Sequence, residues 1–214
     1  MRNKNVILIG AGGHALSLAE FAGEQICGYL ALGEATDMPF NWLGGDDSAR
    51  KLAEEGYLFH MAFVYAGLPT MDKREKLISL YRGAGAKFKS LIAPTAIVTP
   101  HSEIGEGVAV MQGAIVNRAK LGDNVILNSG GIVEHDCLIG ENTFIGPGAV
   151  VGGFTTIGRN CFIGLGARVG NGINIGDNVT VAMGAVVNRD LTEPGIYHGP
   201  TLKRFTLPER RSQK

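Results

Sequence analysis

From Ile92 to Val187 an aliphatic residue returns at every sixth position, and few folds can accommodate that spacing. The series is Ile92, Val98, Ile104, Val110, Val116, then, after one five-residue step, Leu121, Leu127, Val133, Ile139, Ile145, Val151, Ile157, Ile163, Val169, Ile175, Val181 and Val187. Glycine often follows, as at Gly105, Gly122, Gly140, Gly146, Gly158, Gly164 and Gly176. A second register, four residues later, holds small or β-branched residues such as Val108, Ala114, Val125, Cys137, Thr143, Ala149, Cys161 and Ala167. Six is not a multiple of 3.6, so a helix cannot keep this pattern on one face. Short strands with a corner every six residues can. Three of them make a triangular coil of about 18 residues, and the length gives roughly five coils of parallel β-helix. The aliphatic residue fills the prism corner and the small residue lets the next coil sit close.

The five-residue step, Val116-Asn117-Arg118-Ala119-Lys120-Leu121, breaks the count. Counting forward puts Lys120 in the prism; counting back from Leu121 puts Ala119 there, so the coil is expected to shorten one corner and reset.

Before the repeat the pattern changes. Val6–Ile9 is wholly apolar and reads as a buried parallel strand. It runs into Gly10-Ala11-Gly12-Gly13-His14-Ala15 and an apolar helical stretch from Ala15 to about Gly23. A second strand follows over Ile26–Ala31, then a loop from Gly33 to Gly45 containing Trp42. Asp46-Asp47-Ser48 can cap a short helix over Ala49–Glu55. His60–Ala66 reads as a third strand closed by Gly67, and Lys73–Arg82 as an amphipathic helix buried through Leu77, Ile78, Leu80 and Tyr81. The expected division is an α/β unit over 1–88, the β-helix over 89–190 and a turn-rich C-terminal tail over 191–214, charged and fraying from Leu207.

Composition narrows the function. The net charge is zero, which gives no electrostatic footprint for nucleic acid. No apolar run reaches the ~18 residues of a membrane span. The apolar run near the N-terminus is too short for a signal peptide, so a cytoplasmic protein is the expectation. Three cysteines without a CxxC pair fit a reducing compartment, and the His and Cys positions show no metal-ligand spacing.

Two places carry chemistry. Gly10-x-Gly12-x-x-Ala15 stands between strand and helix, where backbone N–H groups bind phosphate. Glu34, just past the second strand, is placed like the acid of a dinucleotide site, although the unit is short for one. His135 lies between inward Val133 and Cys137, so it projects outward, flanked by Glu134 and Asp136. A neutral imidazole held at Nδ1 by a carboxylate leaves Nε2 as a general base. Cys137 and Cys161 share the inward register and read as core.

Together these residues resemble the bacterial sugar O-/N-acyltransferases with hexapeptide repeats, which include sialic acid O-acetyltransferases and UDP-4-amino-sugar N-acetyltransferases. The resemblance rests on Gly10–His14, the hexads, Asn128 and Glu134-His135-Asp136-Cys137. It implies a small Rossmann-like α/β domain followed by a left-handed parallel β-helix. It also implies a homotrimer with acetyl-CoA in the groove between subunits, and no metal. By this resemblance His135 is the general base, with Glu134 or Asp136 orienting it. Gly10, Gly12, Gly13, His14, Glu34, Gly67 and Asn128 contact the nucleotide sugar. Gly153 offers its N–H to the thioester oxygen, and Leu165, Ala182 and Lys203 lie on the CoA side. Three places depart from the family pattern: Glu34 stands in place of paired Asp residues, Phe144 in place of a second His, and Gly199-Pro200-Thr201-Leu202-Lys203 in place of Gly-x-Pro-Ala-Lys. The implied activity is N-acetylation of a nucleotide-linked amino sugar for a bacterial surface glycan. Left open are O-acetylation of a sialic acid or related hydroxyl, a structural trimer, and, from Gly10–Ala15 and Glu34 alone, an NAD-binding oxidoreductase or sensor.

Overall fold

The computed structural model describes residues 5–64 and 71–199, and the backbone of 203–205. Gly67, one of the expected substrate contacts, lies outside the described residues.

Among the described residues the N-terminal part is a five-stranded parallel sheet with three α-helices. Its strands are β1 (Val6–Ile9), β2 (Ile26–Leu30), β3 (Asn41–Trp42), β4 (Leu58–Met61) and β5 (Lys87–Phe88), in spatial order β3-β2-β1-β4-β5. Its helices are α1 (Gly13–Ala22), α2 (Ala49–Glu54) and α3 (Asp72–Gly83). β1 lies at the centre, buried on both faces, as its unbroken apolar run demands.

Several local expectations need correction. Helix α1 starts two residues early, at Gly13, with Gly12 as its N-cap. The expected loop contains β3, whose Asn41 and Trp42 pair with Gly28 and Tyr29; only the sheet's edge makes those two exposed residues a strand. The third strand is β4, which ends at Met61 because its register against β1 begins at Leu58. Ser48 makes no side-chain cap for α2, since Asp46–Ser48 already turn as a 3-10 helix. On α3, Leu80 is 51% exposed and Arg74 is fully buried. Arg74, Ile78 and Tyr81 form the inward stripe at i, i+4, i+7.

From Leu91–Ile92 to Val186–Val187 the chain winds through short strands that stack into three parallel sheets, one per side of a triangular prism. Both sequence registers line the interior, from Val108 to Val187, as one apolar column. Ala119 is buried and Lys120 exposed, so the count from Leu121 is the one the chain follows. Registers across the short step are 17 residues (Ile115↔Ile132) instead of 18 (Ile132↔Val150), so the missing residue comes out of a corner and no strand slips. That corner is Asn117-Arg118.

The helix does not stop at Val187. Leu191 bridges to Ile175, and Gly195–His198 pairs in parallel with Val179–Val181, extending one side. Lys203–Phe205 returns antiparallel on that strand, so this part of the tail is ordered by pairing.

The three outer faces differ. One carries Leu91, Ala109, Ile126, Phe144 and Phe162, which form a single buried cluster with Ala15, Leu18 and Ala22 of α1. Phe144 and Phe162 stack at 4.7 Å on adjacent coils within it. The second face carries Glu103, Lys120, Leu138, Thr156 and Asn174, and Lys120 and Glu103 pair across coils at 2.8 Å. The third carries Ile97, Ile115, Ile132, Val150, Arg168 and Val186, largely aliphatic and uncovered.

Arg74 ties the two parts together. Its Nε donates to Phe63 O (2.9 Å), and its Nη1 to Asn124 O (2.8 Å) and to Asn142 Oδ1 on a β-helix corner. Asn142 donates on to Asn160 Oδ1 at 2.8 Å in the coil above. Complete burial lowers the Arg74 pKa to about 9. Exposed pairs, Arg82–Asp123 at 2.8 Å and Arg159–Glu75 at 3.7 Å, flank the junction.

Candidate active site

The corners of the prism stack into three edges. On one edge Glu134-His135-Asp136 sits directly above Asn117-Arg118 and below Gly152-Gly153-Phe154. Asp136 N donates to Arg118 O (3.0 Å) and Phe154 N to His135 O (2.9 Å). Val133 and Cys137, the inward neighbours, are 0% and 1% exposed, which leaves the His135 side chain outside the prism. It is 45% exposed.

Two contacts fix its ring. Nδ1 donates to Asp136 Oδ2 at 2.9 Å, so Nε2 is the free nitrogen. The Phe154 ring stands perpendicular to the imidazole, centroids 5.0 Å apart at 89°. Of the two acids, Asp136 is the orienting one. Glu134 instead accepts from Asn117 Nδ2 at 2.9 Å.

Gly153 lies one coil above. A Cβ there would stand 2.8 Å from His135 Cε1 and 2.9 Å from Nε2, so only glycine lets its backbone approach the imidazole this closely. Its carbonyl accepts from Gly172 N, and among the described residues its own N–H has no acceptor. An accepting imidazole nitrogen and a backbone donor without an acceptor among the described residues thus share one corner stack, an arrangement that can serve acyl transfer.

The other expected residues gather elsewhere. Gly13, His14, Asn128 and Leu165 line one cleft of about 590 Å³ between α1 and the β-helix, with Ser17, Val64, Ser129, Phe144 and Pro147. Asn128 and Leu165 belong to a second prism edge, where Gly148 N donates to Ser129 O and Gly184 N to Leu165 O. Ala182 is on that edge too, two coils above Gly146-Pro147-Gly148. His135 lies on the next edge round, one side of the prism away. A single chain therefore does not bring His135 together with Asn128 and His14. Lys203 pairs through its backbone with His198.

A second cavity, of about 520 Å³, opens at the carboxyl ends of β1 and β2, lined by Gly10, Ala11, Leu32, Gly33, Phe63, Asp46 and Lys73 among others. This is the crevice where ligands bind in parallel α/β sheets. Gly10 takes φ +110°, and a Cβ there would press on Phe63 N at 3.0 Å. Gly12 and Gly13 leave open space where a side chain would stand. Glu34 is exposed and does not line the cavity. The carboxylate that does is Asp46, anchored by Tyr81 Oη at 2.7 Å. Burial, then this bond, raises the Tyr81 pKa.

The sequence reading missed Asp46, Lys73, Arg74 and Phe154. Arg74 was within reach, since it shares helical spacing with Ile78 and Tyr81. Asp46 was not, because its place depends on how the segment after β3 folds back to Tyr81. His14 and His60 lie near Arg74. Burial, then His60 and Arg74, lowers His14 to about 3; burial, with Arg74 adding and a hydrogen bond to Lys89 O opposing, lowers His60 to about 4, so both are neutral. Among the described residues His14 Nε2 is buried without a hydrogen-bond partner. Cys137 and Cys161 are buried, and burial raises both thiols, Cys161 to about 12. Among the described residues no cluster of His, Cys, Asp or Glu could hold a metal, and no helix is long and apolar enough to cross a membrane.

Family models agree with this architecture. Residues 118–153 match the bacterial transferase hexapeptide (six repeats), and residues 154–189 the hexapeptide repeat of succinyl-transferase. The class is thus a hexapeptide-repeat transferase, whose β-helix is left-handed. Solved structures extend the match beyond the repeat. Perosamine N-acetyltransferase from Caulobacter crescentus, a His-to-Asn variant in complex with CoA and GDP-perosamine, is 32% identical, with TM-score 0.86, covering 94% of this chain and 97% of that one. The acetyltransferase domain of PglB from Neisseria gonorrhoeae, in complex with acetyl coenzyme A, is 31% identical, with TM-score 0.86, covering 95% and 100%. The chain belongs to the hexapeptide-repeat family of sugar acyltransferases.

Proposed function

We propose that this protein transfers acetyl from acetyl-CoA to the amino group of a nucleotide-linked sugar, with His135 as general base. The observation that carries the reading is the corner stack: His135 held through Nδ1 by Asp136, with the Gly153 N–H one coil above. The free amine attacks the thioester carbonyl and a C–N bond forms. His135 Nε2 takes the amine proton as the tetrahedral intermediate collapses. The Gly153 N–H donates to the oxyanion, a contact typically worth ~2.7–4 kcal/mol. The C–S bond breaks, and the proton on His135 passes to the departing CoA thiolate. The relatives that hold CoA with GDP-perosamine, or acetyl coenzyme A, support both substrates.

The acceptor's nucleotide fits the cavity beside Gly10, Gly33, Asp46 and Lys73, and its phosphates the N-terminus of α1 at Gly12 and Gly13. The sugar then points into the cleft of His14 and Asn128. That cleft and His135 lie on two edges of the prism, and the aliphatic face of Ile97, Ile115, Ile132, Val150 and Val186 lies between them. Ile97 is 57% and Val186 47% exposed, which an isolated chain has no reason to maintain. Three copies packed through this face about a threefold axis bury it and set the His135 edge of one against the Asn128 edge of the next. Gly153 from one copy then shares a groove for acetyl-CoA with Leu165 and Ala182 from its neighbour. The family resemblance assigns Lys203 to the same groove, for a phosphate of CoA. The setting is a bacterial cytoplasm that supplies precursors for a surface glycan.

Turnover of acetyl-CoA with a panel of nucleotide-linked amino- and hydroxy-sugars tests the proposal. His135→Ala is expected to lose roughly 10²–10⁴-fold in kcat. Wild-type turnover in that variant, or reaction with hydroxy-sugars alone, contradicts it. Tight NAD binding without acetyl transfer points instead to the oxidoreductase.

A further inference from the structure

From Gly107 to Gly184 each prism corner places one residue in the left-handed region. Asn124, Asn142, Asn160 and Asn178 hold it on one edge, at φ 55–58°, and glycines such as Gly130, Gly148 and Gly166 on another. These residue types enter that region at little cost. On the His135 edge the residues are Arg118 (φ 49°), Asp136 (φ 59°), Phe154 (φ 60°) and Gly172 (φ 66°). A bulky aromatic at positive φ is a genuine outlier, and such strain of order 1–3 kcal/mol gathers at functional sites. Packing within the chain does not explain it, because Phe154 is 65% exposed there. Its notable contact is the perpendicular one with the imidazole of His135, at 5.0 Å.

We propose that Phe154 is a positioning residue for acetyl transfer: its strained corner holds the ring against His135 so that the imidazole keeps its Nδ1 on Asp136 and its Nε2 facing the groove. The half-exposed His135 ring has one hydrogen bond, to Asp136 Oδ2, and a single bond leaves it free to tilt about that axis. Gly153 can limit the tilt only from above, and it has no side chain. Phe154 restricts the remaining freedom from the same coil. The inference rests on the reading of His135 as the base.

The test replaces Phe154 by residues that separate strain from contact. Phe154→Asn installs the residue type that fills four other left-handed corners, removing the ring while relieving the backbone. The expected result is a Tm unchanged or raised and a kcat about 3- to 10-fold lower, the range of a perpendicular aromatic contact. KM for acetyl-CoA and acceptor stays within twofold. Phe154→Tyr keeps the ring and is expected to keep kcat within twofold. In the His135→Ala background Phe154→Asn should cause no further loss, since there is no imidazole to hold. A Phe154→Asn variant with wild-type kcat overturns the proposal. So does one whose loss falls on KM, persists without His135, or accompanies a lowered Tm. If His135→Ala is itself fully active, the proposed function fails. If that variant is inactive and Phe154→Asn is not impaired, only this inference fails.

Discussion

Gly153→Ala isolates the geometry of the corner stack in a single methyl group. Gly153 is not among the positive-φ glycines, so alanine suits its backbone. The added Cβ would stand 2.8 Å from His135 Cε1 and 2.9 Å from Nε2. Carbon–carbon contacts settle near 3.5–4.0 Å, so the imidazole must retreat by about 0.7–1.2 Å. Its side chain is 45% exposed and can swing toward solvent, so the stability change should stay below about 1 kcal/mol. A misplacement of that size at a reacting centre costs on the order of 10²-fold. Steady-state release of CoA thiol, read with thermal unfolding of the same samples, should show kcat reduced about 100-fold at nearly constant Tm. With His135→Ala already in place, the methyl should cost little more. Wild-type kcat in Gly153→Ala, or a loss matched by a several-kcal/mol fall in stability, refutes the argument that this glycine exists to admit His135.

Arg74→Ala removes the donor to Phe63 O, Asn124 O and Asn142 Oδ1 in a fully buried site; urea unfolding should show a loss of about 3–5 kcal/mol, and a loss below 1 would contradict its role as the junction's pin. Acid should weaken the fold before the carboxylates titrate. His14 and His60 stay neutral when folded, with pKa near 3 and 4, while the unfolded chain takes up protons below 6.5. Their contribution is complete above pH 6.5 and falls by about 1.4 kcal/mol per histidine per pH unit as pH drops toward those values. His60→Gln should roughly halve that slope in Tm against pH, and an unchanged slope would show another group responsible. Val150→Asp, in the aliphatic face, should reduce the mass measured by light scattering from three chains to one and abolish turnover; a monomeric wild type would remove the basis for a shared groove.

The β-helix was legible because its code is periodic. An aliphatic residue at each sixth position has one way to be buried, and even the irregular step resolved once Leu121 set the count. His135 followed from the same code, since Val133 and Cys137 had to face inward. The α/β part was less legible, because its elements owe their limits to one another. Asn41-Trp42 is a strand only by lying beside β2, and Leu80 faces solvent because Arg74 takes the inward stripe. Arg74 has the helical spacing of Ile78 and Tyr81, but the partners that let an arginine take that place lie 50 residues away at Asn124 and 68 away at Asn142. Asp46 and Phe154 were hidden for related reasons. One is defined by a fold-back to Tyr81, the other by a backbone angle that nothing in its side chain signals.

The most direct test is the structure of the assembled protein with CoA and a nucleotide-linked amino sugar bound together. The account predicts the sugar nitrogen within about 3.2 Å of His135 Nε2, with Asn128 and His14 of a neighbouring copy around the same sugar. A sugar nitrogen placed away from every His135 in the assembly would contradict it.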